Sequence, residues 1–184
     1  AAGITTVHQD LALCPDLSPA ENAFLGRELR RGGLAGFFGF QRHNEMAQRT
    51  TQALEELGIQ LQRPDIPVRS LSGGQRQVVA VARAAMWASR LIILDEPTAA
   101  LGARQSRIVN QTILKARERG LTILLVSHDL PSVIEIADRI AVMRQGKVVT
   151  TIPAKTATVP LIVALMLGQE TPATGDATTD EGEQ

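Results

Sequence analysis

Apolar residues in this chain follow two alternating patterns, short continuous runs and longer helix-like segments. The runs at 91–94 and 121–126 are almost uninterrupted, which is typical of strands inside a covered parallel sheet. The segments at 75–87, 103–119 and 130–137 favour helices. Because strands alternate with helices, the pattern predicts an α/β fold with a mainly parallel sheet.

The first third of the chain has a different character, with one short strand and then helices and loops. A strand is predicted at 3–7. Ser18 followed three residues later by Glu21 predicts the start of a helix with a capping box. Asn44 is expected to cap a second helix. We therefore expect an inserted helical subdomain over residues 11–70.

The last third predicts a hairpin and a final helix. Strands at 139–143 and 147–152 are joined by a turn at Gln145-Gly146, and a helix follows within 156–167. Beyond Gln169 the composition turns polar, which is typical of disorder. The predicted division is an end of the N-terminal core at 1–10, a helical subdomain at 11–70, an α/β core at 71–152, a C-terminal helix at 153–169 and a disordered tail at 170–184.

Composition excludes several classes of function. Hydrophobic residues make up 44% of the chain, and 19 basic residues balance 19 acidic ones, so no broad electrostatic footprint for nucleic acid is expected. The single cysteine, Cys14, cannot form an internal disulfide and fits a reducing compartment. No apolar run approaches the roughly 20 residues of a membrane helix, and no secretory leader is visible.

A glycine-rich helix entry is the first chemical motif. Ser72-Gly73-Gly74-Gln75 follows Leu71 and opens the helix predicted at 75–87. Backbone N–H groups at such a turn can approach an anion closely, and the helix N-terminus favours negative charge. The serine hydroxyl adds a further donor. The motif predicts a phosphate-binding surface.

Two adjacent carboxylates form the second motif. Asp95 and Glu96 end the apolar run at 91–94, and the carboxyl ends of parallel strands are where α/β sheets bind ligands. Asp95 is placed to organise Mg²⁺ and its waters. Glu96 is placed to act as a general base or to orient an attacking water.

Together these motifs resemble the ATP-binding subunits of ABC transporters. The resemblance implies a P-loop NTPase-like (RecA-like) core, ATP and Mg²⁺ as cofactors, and a dimer in which the signature motif at 72–75 faces the nucleotide on the opposite subunit. It identifies Gln9 as the Q-loop glutamine, which ligates Mg²⁺ or a water. It identifies His128 as the switch histidine, which contacts the γ-phosphate.

The resemblance also points to a branch of the family. The segment Ala99-Ala100-Leu101-Gly102 stands where the family usually has Ser-Ala-Leu-Asp, and Gly102 cannot make the polar contact that the aspartate makes across the dimer. This variant, together with 7–13 and 21–27, resembles ribose- and fructose-type importers. The implied function is the ATPase of a monosaccharide importer at the cytoplasmic face of the membrane, with a permease and, indirectly, a substrate-binding protein as partners.

One motif of the family does not occur in this sequence. No Gly-x-x-x-x-Gly-Lys-Ser/Thr loop is present, although its backbone amides and lysine supply most of the phosphate grip. We therefore expect the N-terminal part of the core to be missing, with an exposed sheet edge and an uncovered core. We also expect little or no ATP binding or activity by this polypeptide alone. Two alternatives stay open: a degenerate, non-catalytic ABC partner, and a soluble ABC ATPase without a transport role.

Overall fold

A computed structural model describes residues 3–30, 41–61 and 63–169. The chain divides into two compact units, residues 1–128 and 129–184. The predicted tail at 170–184 lies outside the described residues, and the five-part domain division stays a prediction. Within the described ranges, no helix combines the length and the apolar character needed to cross a membrane.

Within the described residues, the first unit is built on a parallel sheet of three strands. These are β1 (Ile4–Val7), β2 (Leu91–Asp95) and β3 (Thr122–Val126), in the spatial order β1-β2-β3. Val7 pairs with Leu94, which pairs in turn with Leu125. The predicted α/β architecture with a parallel sheet is therefore confirmed, and the three strands end at nearly the same level.

The two faces of this sheet differ in burial. Ile92 and Leu94 point to one face and are fully buried, at 0% exposure. On the other face Leu124 and Val126 are 52% and 50% exposed, and Ile4 is exposed as well. The apolar runs predicted a sheet covered on both faces, whereas the described residues cover one. Ile4, Leu124 and Val126 therefore form an exposed apolar surface on the second face.

Among the described residues of the first unit, four helices accompany the sheet. They are α1 (Pro19–Phe24), α2 (His43–Glu56), α3 (Gly73–Trp87) and α4 (Ala103–Glu118), with a 3₁₀ turn at Val68–Ser70. Helix α3 contacts β1, α4, α1 and α2, and α4 also contacts β3. Small buried residues on α3, among them Ala80 and Ala84, allow this close packing.

Two helix starts differ from the sequence prediction. Helix α3 begins at Gly73, two residues before the predicted start, because Ser72 caps it. Helix α2 begins at His43 with Arg42 in the capping position, and no side chain caps it there, so the predicted role of Asn44 as the cap is wrong. Its first turn gains an ion pair instead, since Arg42 Nε lies 2.9 Å from a carboxylate oxygen of Glu45.

The predicted capping box of α1 is confirmed. The Glu21 carboxylate accepts hydrogen bonds from the backbone N–H and the hydroxyl of Ser18, each 2.8 Å long, and the Ser18 hydroxyl accepts the Glu21 N–H. These hydrogen bonds, the backbone one foremost, hold the pKa of Glu21 below its ordinary value.

An irregular loop between β1 and α1 is held by the buried side chain of Asn22. Its Oδ1 accepts the N–H of Cys14 at 2.7 Å, and its Nδ2 donates to the carbonyl oxygens of Cys14, Leu17 and Ser18. The N–H of Val68 donates to the same Leu17 carbonyl. The side chain of Asn22 therefore satisfies backbone N–H and C=O groups of this loop, as backbone hydrogen bonds do in a strand.

Helix α1 is anchored to the end of α3. The indole of Trp87 donates to the carbonyl of Ala23 at 2.7 Å, and its ring meets Phe24 edge-on with centroids 5.3 Å apart. Arg27 places its guanidinium 4.7 Å from the indole centroid. Helices α1 and α3 therefore share one small core.

The second unit contains α5 (Leu130–Ile136), β4 (Arg139–Arg144), β5 (Lys147–Pro153), a 3₁₀ turn at Ala154–Thr156 and α6 (Val159–Leu167). Strands β4 and β5 are antiparallel, as predicted. Gln145 and Gly146 both have positive φ, which suits a tight hairpin turn. The final helix starts later than the start of its predicted segment because Thr158 caps it.

Replacing Asn22 with alanine is expected to destabilise the first unit by about 2–4 kcal/mol, since buried backbone groups of the loop lose their partners. Urea unfolding followed by the fluorescence of Trp87 measures the loss. The exposed Asn44→Ala is the matched control and should change stability by less than about 0.5 kcal/mol. An equal effect of the two substitutions would show that the Asn22 bonds do not hold the loop.

Candidate functional site

The carboxyl edge of the parallel sheet brings together the predicted residues from three distant parts of the sequence. Gln9 lies in the turn after β1, Asp95 is the last residue of β2, and His128 follows β3. The register aligns the strand ends, so the three lie along one edge. This is the position at which open α/β sheets bind ligands.

Glu96 leaves β2 in an unusual backbone conformation. Its φ is +49°, a left-handed value that costs a residue other than glycine about 1–2 kcal/mol. The conformation is held from β3, because the N–H of Glu96 donates to the carbonyl of Val126 at 2.9 Å. Non-glycine residues in this region often lie at functional sites, where the surrounding structure maintains the strain.

The side chain of Glu96 is paired with His128. The Nδ1 atom of His128 lies 2.8 Å from Oε1 of Glu96. The glutamate side chain is 22% exposed and the imidazole 78%, so the carboxylate is sheltered while the ring faces outward. Two residues that the sequence predicted to be catalytic are therefore in direct contact.

The predicted signature motif at 72–75, called the signature turn from here on, also has a defined geometry. Ser72 caps α3 by accepting the N–H of Gln75 at 3.3 Å, and Oε1 of Gln75 accepts the N–H of Ser72 at 2.9 Å. Ser72, Gly73 and Gln75 are exposed. The start of a 15-residue helix therefore faces solvent, as the predicted contact across a dimer requires.

The two glycines of this turn have different surroundings. A Cβ on Gly74 would lie 2.9 Å from both Cβ and Cγ of Gln105, so α3 and α4 meet there without space for a side chain. A Cβ on Gly73 would meet only a methyl group of Leu101, at 3.4 Å. Gly74 thus permits helix packing, whereas Gly73 leaves the exposed side of the turn open. Sequence reasoning missed Gln105 because no local pattern marks a contact between separate helices.

The segment predicted as the D-loop lies beside the signature turn. Leu101 packs toward Gly73, and Gly102 occupies the N-cap of α4 without a side-chain cap. Ala100 has a left-handed φ of +60°. The loop between β2 and α4 therefore passes beside the start of α3 on its way from the acidic pair.

The chain matches the ABC transporter family over residues 1–99. It belongs to the ABC transporter family. It is 49% identical over 173 residues to the fructose import ATP-binding protein FrcA of Rhizobium meliloti. It is 36% identical over 168 residues to the ribose import ATP-binding protein RbsA of Yersinia pestis. These matches cover 93% and 91% of this chain but 66% and 32% of the two relatives.

Solved structures of the family have the same fold. A dimeric ATP-binding cassette, MJ0796, bound to ADP and Pi matches 82% of this chain and 62% of its own, with a TM-score of 0.63 and 28% identity. The cbiO1 protein of Clostridium perfringens matches 84% of this chain and 58% of its own, with a TM-score of 0.66 and 27% identity. The predicted fold class, that of ATP-binding cassettes, is therefore confirmed.

The two glycines should respond differently to alanine. Gly74→Ala is expected to destabilise the first unit by about 1–3 kcal/mol, since α3 and α4 must separate. Gly73→Ala should be neutral or stabilising by up to about 1 kcal/mol, because alanine is the better helix former. Urea unfolding followed by Trp87 fluorescence measures both. Equal losses in the two variants would contradict the assignment of Gly74 to helix packing.

Proposed function

We propose that this chain belongs to the ATP-hydrolysing part of an ABC importer that energises the uptake of a monosaccharide. The observation that carries the proposal is the contact between Glu96 and His128 at the carboxyl edge of the sheet, beside Asp95. A carboxylate and an imidazole at this edge suit a reaction in which water attacks a phosphoryl group. The names of the curated relatives support import of a sugar as the purpose.

Each predicted residue has a proposed role in that reaction. Glu96 deprotonates or orients the attacking water, and His128 holds Glu96 and reaches the γ-phosphate. Gln9 senses the same phosphate. Ser72, Gly73, Gly74 and Gln75 face the nucleotide bound by the other subunit of a dimer.

The residues at the sheet edge fit a magnesium ion that is shared with the nucleotide. Among the described residues, no group of three or more His, Cys, Asp or Glu side chains could hold a metal ion. Mg²⁺ is commonly bound by one or two carboxylates together with substrate phosphates, so Asp95, assisted by Gln9, suffices on the protein side. The ion would neutralise charge on the phosphates.

The helical subdomain is the proposed contact with a permease at the cytoplasmic face of the membrane. It contains a cavity of about 300 Å³ between the starts of α1 and α2. Apolar Pro19, Met46 and Pro64 line it together with the carboxylates of Glu21 and Asp65. A concave surface of this kind suits a short segment of a partner. A sugar-binding protein would act on the permease and not on this chain.

A Glu96→Gln substitution in the gene of the source organism should lower ATP-driven sugar uptake about 100-fold or more, because the amide cannot take the proton from water. Uptake of labelled fructose, ribose and xylose measures the loss. Glu118→Gln, an exposed exchange at the end of α4, is the control and should leave uptake unchanged.

Other results of that experiment would identify the rival functions. If uptake persists in Glu96→Gln but is lost in Gly73→Asp, the chain only lends its signature motif to a catalytic partner. If neither substitution changes the uptake of any sugar, the importer assignment is wrong.

The polypeptide Ala1–Gln184 alone should bind Mg-ATP weakly or not at all, since it contains no P-loop motif to grip the phosphates. Isothermal titration calorimetry on the purified chain tests this. A dissociation constant in the micromolar range would show that the edge residues and the signature turn bind nucleotide without that loop.

A further inference from the structure

The turn that contains Gln9 continues into two residues with strained backbones. Leu11 and Ala12 have φ values of +62° and +44°, which are rare for residues other than glycine and rarer in succession. The N–H of Leu11 donates to the carbonyl of His8 at 2.9 Å and closes the turn around Gln9. Local sequence does not explain this conformation, because neither residue favours it.

A side chain from α3 binds both strained residues. Arg83 donates from Nη2 to the carbonyl oxygen of Leu11 at 2.8 Å and from Nη1 to that of Ala12 at 2.7 Å. The planar guanidinium reaches two successive carbonyls only if both lie within its fork. Arg83 is half-buried, and this burial lowers its pKa from the ordinary value. The two carbonyl oxygens replace water that the guanidinium loses on burial.

The remainder of the loop is held independently of Arg83. Asn22 binds Cys14, Leu17 and Ser18, and the N–H of Arg69 donates to the carbonyl of Pro15 at 2.9 Å. Leu11 and Ala12 follow Gln9 after one intervening residue, and Arg83 connects them to α3.

We propose that Arg83 is the positioning residue of Gln9: its bidentate contact with Leu11 and Ala12 fixes the turn carrying Gln9 relative to α3. A helix is stiff over the eleven residues from Gly73 to Arg83. The exposed signature turn and the turn of Gln9 are therefore held at opposite ends of one rigid connection. The importance of that connection for catalysis rests on the proposed function, whereas the positioning itself does not.

Amide hydrogen exchange measured by NMR on the nucleotide-free chain tests the positioning. In Arg83→Ala the Leu11 amide should exchange about tenfold faster, since two charge-assisted hydrogen bonds no longer hold the turn. The amide of Glu96, bound to the carbonyl of Val126, should keep its protection. Arg107→Ala removes an exposed arginine of α4 and is the matched control; it should leave Leu11 unchanged.

Chemical rescue separates positioning from a general structural role. Ethylguanidinium added to Arg83→Ala should restore the protection of Leu11, whereas ethylammonium should not, because an ammonium lacks the planar fork. If the alanine variant does not fold, Arg83→Lys serves instead, and it should also expose the Leu11 amide while Glu96 stays protected. Unchanged exchange at Leu11 in these variants, or equal acceleration at Leu11 and Glu96, would overturn the proposal.

These measurements need no nucleotide and no transport. Unchanged exchange at Leu11 together with a loss of uptake in Glu96→Gln would therefore reject the role of Arg83 and keep the proposed function. Conversely, local exposure of Leu11 without an effect of Glu96→Gln on uptake would keep the positioning and reject the function.

Discussion

Parallel hydrogen bonding between β1, β2 and β3 is the constraint on which the candidate site depends. It pairs Val7 with Leu94 and Leu94 with Leu125, so the chain leaves all three strands at the same edge. Side chains far apart in the sequence become neighbours because their strands end together. A one-residue slip in a strand would move its whole apolar set to the other face, so burial of Ile92 and Leu94 also fixes this register.

The sheet edge contributes more than a common location. The carbonyl of Val126, at the end of β3, holds the backbone of Glu96 in its left-handed conformation, and the next turn supplies His128 to its carboxylate. Both contacts come from the same neighbouring strand. The position of the Glu96 side chain therefore depends on β3 as much as on β2. The Glu96–His128 pair forms because the two strands are neighbours in the sheet.

Helix α3 connects the sheet to the helical segment. Its start is the exposed signature turn, its middle binds the turn of Gln9 through Arg83, and its end anchors α1 through Trp87. Small residues let α3 lie close to β1 and α4. At Gly74 there is no space for a side chain between α3 and Gln105. The uncovered second face of the sheet shows that the described residues bury this core from one side only.

The sequence by itself determined the order of strands and helices, the α1 capping box, and the pair of acids at the sheet edge. These features follow from local patterns: apolar runs, a serine three residues before a glutamate, and acids at the end of a strand. The tertiary structure alone decided that Glu96 meets His128, that Gly74 rather than Gly73 is packed against Gln105, and that Arg83 binds a loop 71 and 72 residues away. Such contacts join segments that are distant in the chain, and no short-range pattern of polar and apolar residues encodes a distance between them.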